Sequence, residues 1–283
     1  MSSVTAPLGT LAFYAPLVAA LQNSSNQLSA SVERLSSGNR ITNAGDDVAA
    51  LSIATGLQTE TAGLTQASSN VAQGSSLLEV ASGGLTQINQ IITNLQTVAE
   101  QASGSALTAT QRGFLQQQFS DDLSAINSIA GSTAFNGINL LDGTLADGTN
   151  IQAGTGQGSG NTINVAIADS RTSALFDSTP KVDTTAHAAA ALTALTTAGN
   201  SIQTSIAQVS GLQTAFNAAA SSLAQTIGGI AAATSNLIDT DIAKESTTYA
   251  QDTLTVNAGI AILAQARNLS PNLLLLLRPM GHS

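Results

Sequence analysis

Cysteine is absent from the 283 residues, which excludes disulfides, thiol nucleophiles and Cys-ligated metals. Tryptophan is absent too, aromatics make up 3% and prolines number five. Charge is scarce: 9% of residues carry it, against about 25% in ordinary globular domains. The eight basic residues are scattered and form no stripe, and the net charge is −9, so nucleic acid is excluded as a partner. Long hydrophobic runs are missing as well. The longest, LAFYAPLVAAL (11–21) and LLLLL (273–277), fall short of the roughly 18 residues a membrane span needs, so no membrane insertion is expected. No Lys or Arg precedes the first run, so a cleaved secretion signal is not expected either.

Side chains able to do chemistry are equally thin, and no catalytic, metal or cofactor site is expected. His187 lies in TTAHAAAAL with no HExxH motif and no carboxylate at helical reach, and the only other histidine is His282. Asp121 and Asp122 are adjacent, so a helix points them apart, which is poor geometry for paired acid and base work. GTGQGSG (154–160) lacks the lysine of a phosphate loop, and DGTLADG (142–148) lacks the spacing of a calcium loop.

What is present is a normal 43% of apolar residues and a polar complement of Ser, Thr, Asn, Gln and Gly. Such a surface packs closely on copies of itself, because neutral groups need only hydrogen-bond partners where buried charges need far more. The apolar residues are periodic. Leu57, Leu64, Val71, Leu78, Leu85, Ile92 and Ala99 stand seven apart, with a companion column at Ala67, Gly74, Ala81, Ile88, Leu95 and Ala102. Leu195, Ile202, Val209, Phe216, Leu223, Ile230 and Leu237 repeat the spacing later. Six steps of seven in each half make the seam of a supercoiled helical bundle, and the small residues let helices approach closely. A further helix is expected around 108–130, with Phe114, Leu115, Phe119, Leu123, Ile126 and Ile129 on its apolar side.

From 136 to 185 the composition turns to Gly, Asn and Asp. IQAGTGQGSGNTINVAI (151–167) reads as a β-hairpin: Ile163, Val165 and Ile167 alternate with polar residues, and 154–160 forms the tip. The fold class is therefore mainly α, with long antiparallel helices from both chain ends and a small β-hairpin region in the middle.

The ends carry their own seams. Leu21, Leu28 and Leu35 repeat at seven, supported by Val18 and Val32, and Pro16, which lacks an amide hydrogen, is expected to begin that helix. Ile242, Tyr249, Val256, Leu263 and Leu277 form the other seam. Each arm breaks between its outer and inner part. On the first arm LSSGNRITNAGDD (35–47) provides Gly38 for a left-handed helix end and Asp46 or Asp47 to cap the next helix. These roles leave Arg34 and Arg40 unexplained, and the reading is that the connector meets neighbouring copies, Arg against Asp. On the second arm SNLIDTDIAKE (235–245) places Asp239, Thr240 and Asp241 as caps and Lys244 as the opposite charge.

Three stretches carry a resemblance. SVERLSSGNRITNAGDDVAALSIATGLQTETAGLTQASSN (31–70) resembles the N-terminal signature of bacterial flagellins, STAFNGINLL (132–141) the end of their N-terminal helical region, and AILAQARNLSPNLLLLLR (261–278) their C-terminal signature. The resemblance covers about 1–145 and 190–278, and only some fifty residues join the two arms. It implies a short flagellin, a secreted structural subunit of the filament used for swimming. The implied layers are an inner layer at 1–44, ending in a spoke that includes Asn43, and a middle layer at 45–135. A hairpin region at 136–185, a returning middle-layer helix at 186–237 and the inner layer again at 238–283 complete the set. The implied partners are other copies, filament cap and hook-junction proteins, the flagellar export apparatus and a cytoplasmic export chaperone at the C-terminus. The extra PMGHS (279–283) follows the Arg at which family members commonly end. An innate immune receptor senses many flagellins through an Arg, a Leu and a Glu of the middle layer; matching LQTVAEQA and FLQQQFSDDL to those segments puts Thr97, Gln101 and Gln118 there. The two alternatives are a hook–filament junction protein and a flagellin-like surface protein with an adhesin or glycan-binding role.

Overall fold

The computed structural model describes the backbone of residues 8–276 and the side chains of residues 15–265. Leu277, His282 and the 279–283 tail lie outside the described residues. The elements are α1 (Leu8–Ser37), α2 (Val48–Ser103), α3 (Ala109–Ser132), β1 (Ala134–Phe135), β2 (Ile138–Asn139), β3 (Thr149–Gln152), β4 (Thr162–Val165), α4 (Thr172–Leu175), α5 (Thr185–Ile238) and α6 (Ile242–Leu276). They group into two compact units, one of the chain ends up to Gln58 and from Ala231, the other of Thr59–Ile230.

The central unit is built on the expected seams. Along α2, Leu64, Val71, Leu78, Leu85, Ile92 and Ala99 are buried, as are Ala67, Ala81, Ile88, Leu95 and Ala102 of the companion column. On α5, Leu195, Ile202, Val209, Phe216 and Leu223 are buried with them. The helices run antiparallel: Gly74 faces Phe216, and eighteen residues on, Ile92 faces Gly199 seventeen residues back. Gly74 has no room for a side chain, since a Cβ there would stand 2.8 Å from Cζ of Phe216 and 2.8 Å from Cδ1 of Ile151. A seven-residue repeat brings the same helix face round every two turns, so one stripe of apolar residues closes the core.

The third helix starts at a capping box. The Thr108 hydroxyl accepts from the Gln111 amide, and the Gln111 side chain accepts from the Thr108 amide. Phe119, Leu123 and Ile126 of α3 enter the core, with Leu115 and Ile129 half-buried against it. Phe114 does not: it is 72% exposed. Five residues from Phe119 is about 140° around a helix, so Phe114 belongs to the solvent side. Arg112 is buried and points its guanidinium back at the end of α2, donating to the carbonyls of Ala102, Gly104 and Leu107. It thereby satisfies acceptors that a helix end leaves open.

After α3 the chain makes two hairpins. β3 pairs antiparallel with β4, Ile151 opposite Ile163, and the glycine-rich tip lies between them as expected. Val165 and Ile167 are buried. The smaller hairpin, Ala134 opposite Asn139 and Phe135 opposite Ile138, is additional to the expected one. Two-residue strands show no alternation, although the Asn136–Gly137 pair at its turn, both at positive φ, is a recognised hairpin signal. The following loop is held by Asp142, whose carboxylate accepts from the Thr144 hydroxyl and amide and from the Asn139 side chain. These bonds, the Thr144 hydroxyl first, hold its carboxyl down at about 2. Because the folded value lies below the ordinary 3.8, the stabilisation is complete above about pH 4 and is lost as pH falls through about 2. A carboxyl NMR titration of Asp142 should show that low midpoint, with the Thr144 amide losing exchange protection across the same window.

The hydroxyls that replace charge on the helix surfaces mostly turn inward. Thr86 donates to the Ser82 carbonyl, Ser124 to Ser120, Thr196 to Leu192 and Thr226 to Ser222, each at 2.8–2.9 Å four residues back.

In the end unit α1 and α6 pair antiparallel. A side chain at Gly259 would press on Leu21, and Glu245 meets Ser31 and Arg34 at the other end of the pair. One expectation is corrected here. The first helix begins at Leu8, not at Pro16, and carries Pro16 inside it. Pro16 is exposed, so the carbonyl of residue 12 that loses its amide partner can be solvated, and residues on both sides continue the helix.

Candidate functional site

The site is the pair of helix breaks in the end unit. α1 stops because Gly38 takes φ +73°, and its amide donates to the Arg34 carbonyl at 2.8 Å. Beyond it, Asp46 and Asp47 divide the work expected of either. Asp47 caps α2, its carboxylate accepting from the Ala50 amide at 2.9 Å. Asp46 folds the connector on itself, accepting from the amides of Thr42 and Asn43 at 3.0 and 2.9 Å. Those bonds, Asn43's first, hold the Asp46 carboxyl below its ordinary range.

On the other arm Asp241 alone caps α6, accepting from the amides of Ala243 and Lys244. Asp239 and Thr240, expected to cap with it, do something else. The Asp239 carboxylate accepts from the Ser235 hydroxyl, and the Thr240 amide donates to the Gly38 carbonyl at 2.9 Å. The two connectors thus lie side by side, bridged antiparallel at Asn39 and Asp239.

Arg34 and Arg40, which the helix caps leave unexplained, both find partners inside the chain. Arg40 donates its amide to the Ile238 carbonyl at 2.6 Å and its side chain to the Leu237 carbonyl at 2.7 Å, closing the end of α5. Arg34 pairs with Glu245 at 3.3 Å, and the buried Ser31 hydroxyl donates to the same carboxylate oxygen at 2.7 Å. Ser31 and Glu245 are outside the residues that sequence reasoning singles out. The available signal is charge placement: Arg34 in the last turn of α1 and Glu245 in the first turn of α6, each favoured by its helix dipole. Together Arg34, Asp46, Asp239, Asp241, Lys244 and Glu245 line a polar cleft of about 540 Å³.

The terminal seam residues are less covered than those of the central unit. Leu21, Leu28, Leu35, Val256 and Leu263 are half-buried, whereas Val18, Val32, Ile242 and Tyr249 are exposed. Leu254 at 70%, Ile260 at 52% and Ile262 at 56% are exposed beside them. Thr97, Gln101 and Gln118 all belong to the central unit, and all three are exposed. His187 does have a carboxylate at helical reach, against expectation: Asp183, four residues earlier, pairs with its Nδ1. The Thr184 hydroxyl accepts from the His187 amide, so the pair sits at a helix start. Among the described residues no group of three or more His, Asp or Glu is placed to hold a metal ion, and no helix is long and apolar enough to cross a membrane.

Comparison with known proteins places these features. Residues 9–146 match the model of the bacterial flagellin N-terminal helical region, and residues 192–277 that of the C-terminal helical region. A flagellin of Bacillus subtilis is 31% identical over 87% of this chain and 91% of its own length. A flagellin of Halalkalibacterium halodurans is 30% identical over 89% and 93%. A solved structure described as a putative flagellar hook-associated protein from Vibrio parahaemolyticus shares the fold, with a TM-score of 0.58 over 69% of this chain and 100% of its own at 13% identity. The chain belongs to the bacterial flagellin family and is a structural subunit that polymerises into the extracellular filament of the flagellum.

Proposed function

We propose that the α1–α6 pair is the polymerising element and forms an inner filament layer at 1–44 and 238–283. In this reading the segments 45–135, 136–185 and 186–237 form the layer around it, and the helix breaks are the spokes between. The observation that carries the reading is the apolar surface the pair leaves open: Leu254, Ile260 and Ile262 on α6 and Val18 and Val32 on α1. Water against so many large side chains is unfavourable, at roughly 25 cal/mol per Å² of apolar surface, and other copies supply the cover. Leu254→Asp tests it. The variant should keep its helical circular dichroism and stay monomeric where the parent polymerises, because a carboxylate cannot enter an apolar contact unpaired. Filaments of normal length from Leu254→Asp would overturn the assignment.

A lone amphipathic helix buries too little to offset the entropy of ordering it, so the ends fold fully only against neighbours at the growing tip. Export before folding, a chaperone at the C-terminus, and contact with the cap and hook-junction proteins complete the partners. The exposed Lys244 and Asp46 of the spoke face neighbouring copies. No catalytic role is assigned to any residue. Against the hook–filament junction alternative, the chain should be the bulk protein of sheared filaments rather than a trace component.

The receptor positions give a further expectation. Thr97, Gln101 and Gln118 carry no charge, and the Thr97 hydroxyl is bonded back to the Thr93 carbonyl. Without a charge-assisted hydrogen bond at one of these positions, binding weakens by roughly tenfold. A reporter cell for the innate receptor should therefore respond weakly, and a potency equal to that of a strongly sensed flagellin would refute the matching.

A further inference from the structure

We infer that the two helix breaks form one cooperative element that opens and closes as a unit, although about 200 residues separate them in sequence. The basis is reciprocal capping. A helix end leaves carbonyls without partners, and a helix start leaves amides without partners. Here the open carbonyls at the end of α5, those of Leu237 and Ile238, are filled by the side chain and amide of Arg40, which belongs to the other arm. The Gly38 carbonyl, just past the end of α1, accepts from Thr240, which belongs to the arm of α5 and α6. Each break is therefore completed by the other. Outside the bridge, Ser31 and Arg34 on the last turns of α1 hold Glu245 on the first turn of α6.

Neither connector can become continuous helix, or detach, on its own. If residues 38–40 left their place, the end of α5 would lose two donors and Thr240 its acceptor. If residues 238–240 left, the Arg40 amide would lose its acceptor and the Gly38 carbonyl its donor. The remaining caps act on one arm each: Asp46 serves only Thr42 and Asn43, and Asp241 only Ala243 and Lys244. These local caps make coupling measurable, because their hydrogen bonds stay on one arm.

The test is amide hydrogen exchange read at Arg40 and Thr240 of isotope-labelled full-length variant chains co-assembled into filaments with the parent chain. Asp46 and Asp241, the two groups to be altered, are exposed, so truncating them opens no cavity in the core, and circular dichroism checks that the variants keep their helices. Asp46→Ala removes a staple on the first arm only. If the element is cooperative, exchange at Thr240 on the second arm rises on the order of five- to tenfold, the effect expected of one lost cap. Asp241→Ala should reciprocally raise exchange at Arg40 by a similar factor, since coupling between two positions acts equally in both directions. Arg40→Ala should raise exchange at Thr240 and at the end of α5 together. Acceleration confined to the mutated arm in Asp46→Ala and Asp241→Ala would overturn the inference. The parent chain builds the filaments whether or not a variant polymerises alone, so the coupling stands or falls separately from the assignment of the α1–α6 pair.

Discussion

Deleting residues 1–40 or residues 240–278 should abolish polymerisation while leaving a soluble, strongly helical protein. Either deletion removes one helix of the α1–α6 pair; the first also removes Asn39 of the bridge and Arg40, and the second removes Thr240, whose amide donates to the Gly38 carbonyl. The remaining helix keeps its apolar residues but loses the partner against which Leu21 and Gly259 close. A single helix in water without tertiary contacts is marginal, so the surviving end should lose its order. The central unit, Thr59–Ile230, holds its own buried core from Leu64 to Leu223 and requires neither end. Circular dichroism should show most of the helix signal retained, light scattering no growth, and electron microscopy no filaments. Ordinary filaments from either truncation would contradict the role given to the ends.

The second large effect concerns Gly74 and Phe216. Phe216 is fully buried, and truncation to alanine should destabilise the central unit by about 3–5 kcal/mol, the range for removing a buried ring and leaving a cavity. Gly74→Val should destabilise it by about 1–3 kcal/mol, because its new atoms enter space held by the Phe216 ring and Ile151. Together the two substitutions should cost less than their sum, since the shortened residue 216 vacates part of what valine needs. Thermal or urea unfolding of the four proteins completes the cycle. Additive effects would mean that the ring and the glycine do not share that space.

The parts of this molecule legible in the sequence are those set by local periodicity. Leu64 to Ala99 on α2 and Leu195 to Leu223 on α5 are buried because a spacing of seven returns to one helix face. Gly38 is legible because few other residues end a helix at positive φ, and β3–β4 because Ile163 and Val165 alternate around a glycine-rich tip. Phe114 departs from expectation because not every large apolar residue of α3 shares one face; its angle from Phe119 sets it outside. Asp183 lies within reach of His187 by simple counting, four residues along the chain. The partners of Arg34 and Arg40 are beyond any local pattern: they lie 211 and 197 residues away in sequence, and only the pairing of the arms brings them together. Asp46 and Asp47 both suit a cap by residue type, and which one caps depends on where α2 begins.

Hydroxyls bonded to their own helix, such as Thr86, Ser124, Thr196 and Thr226, shape what a neighbour meets. A Lys or Glu in those places would have to shed its hydration or find an opposite charge wherever another molecule settled on it. These groups have their protons committed already and offer a neighbour an acceptor oxygen and a methyl or methylene group in place of a charge. A second chain settling on such a helix therefore has no charge to desolvate at these positions.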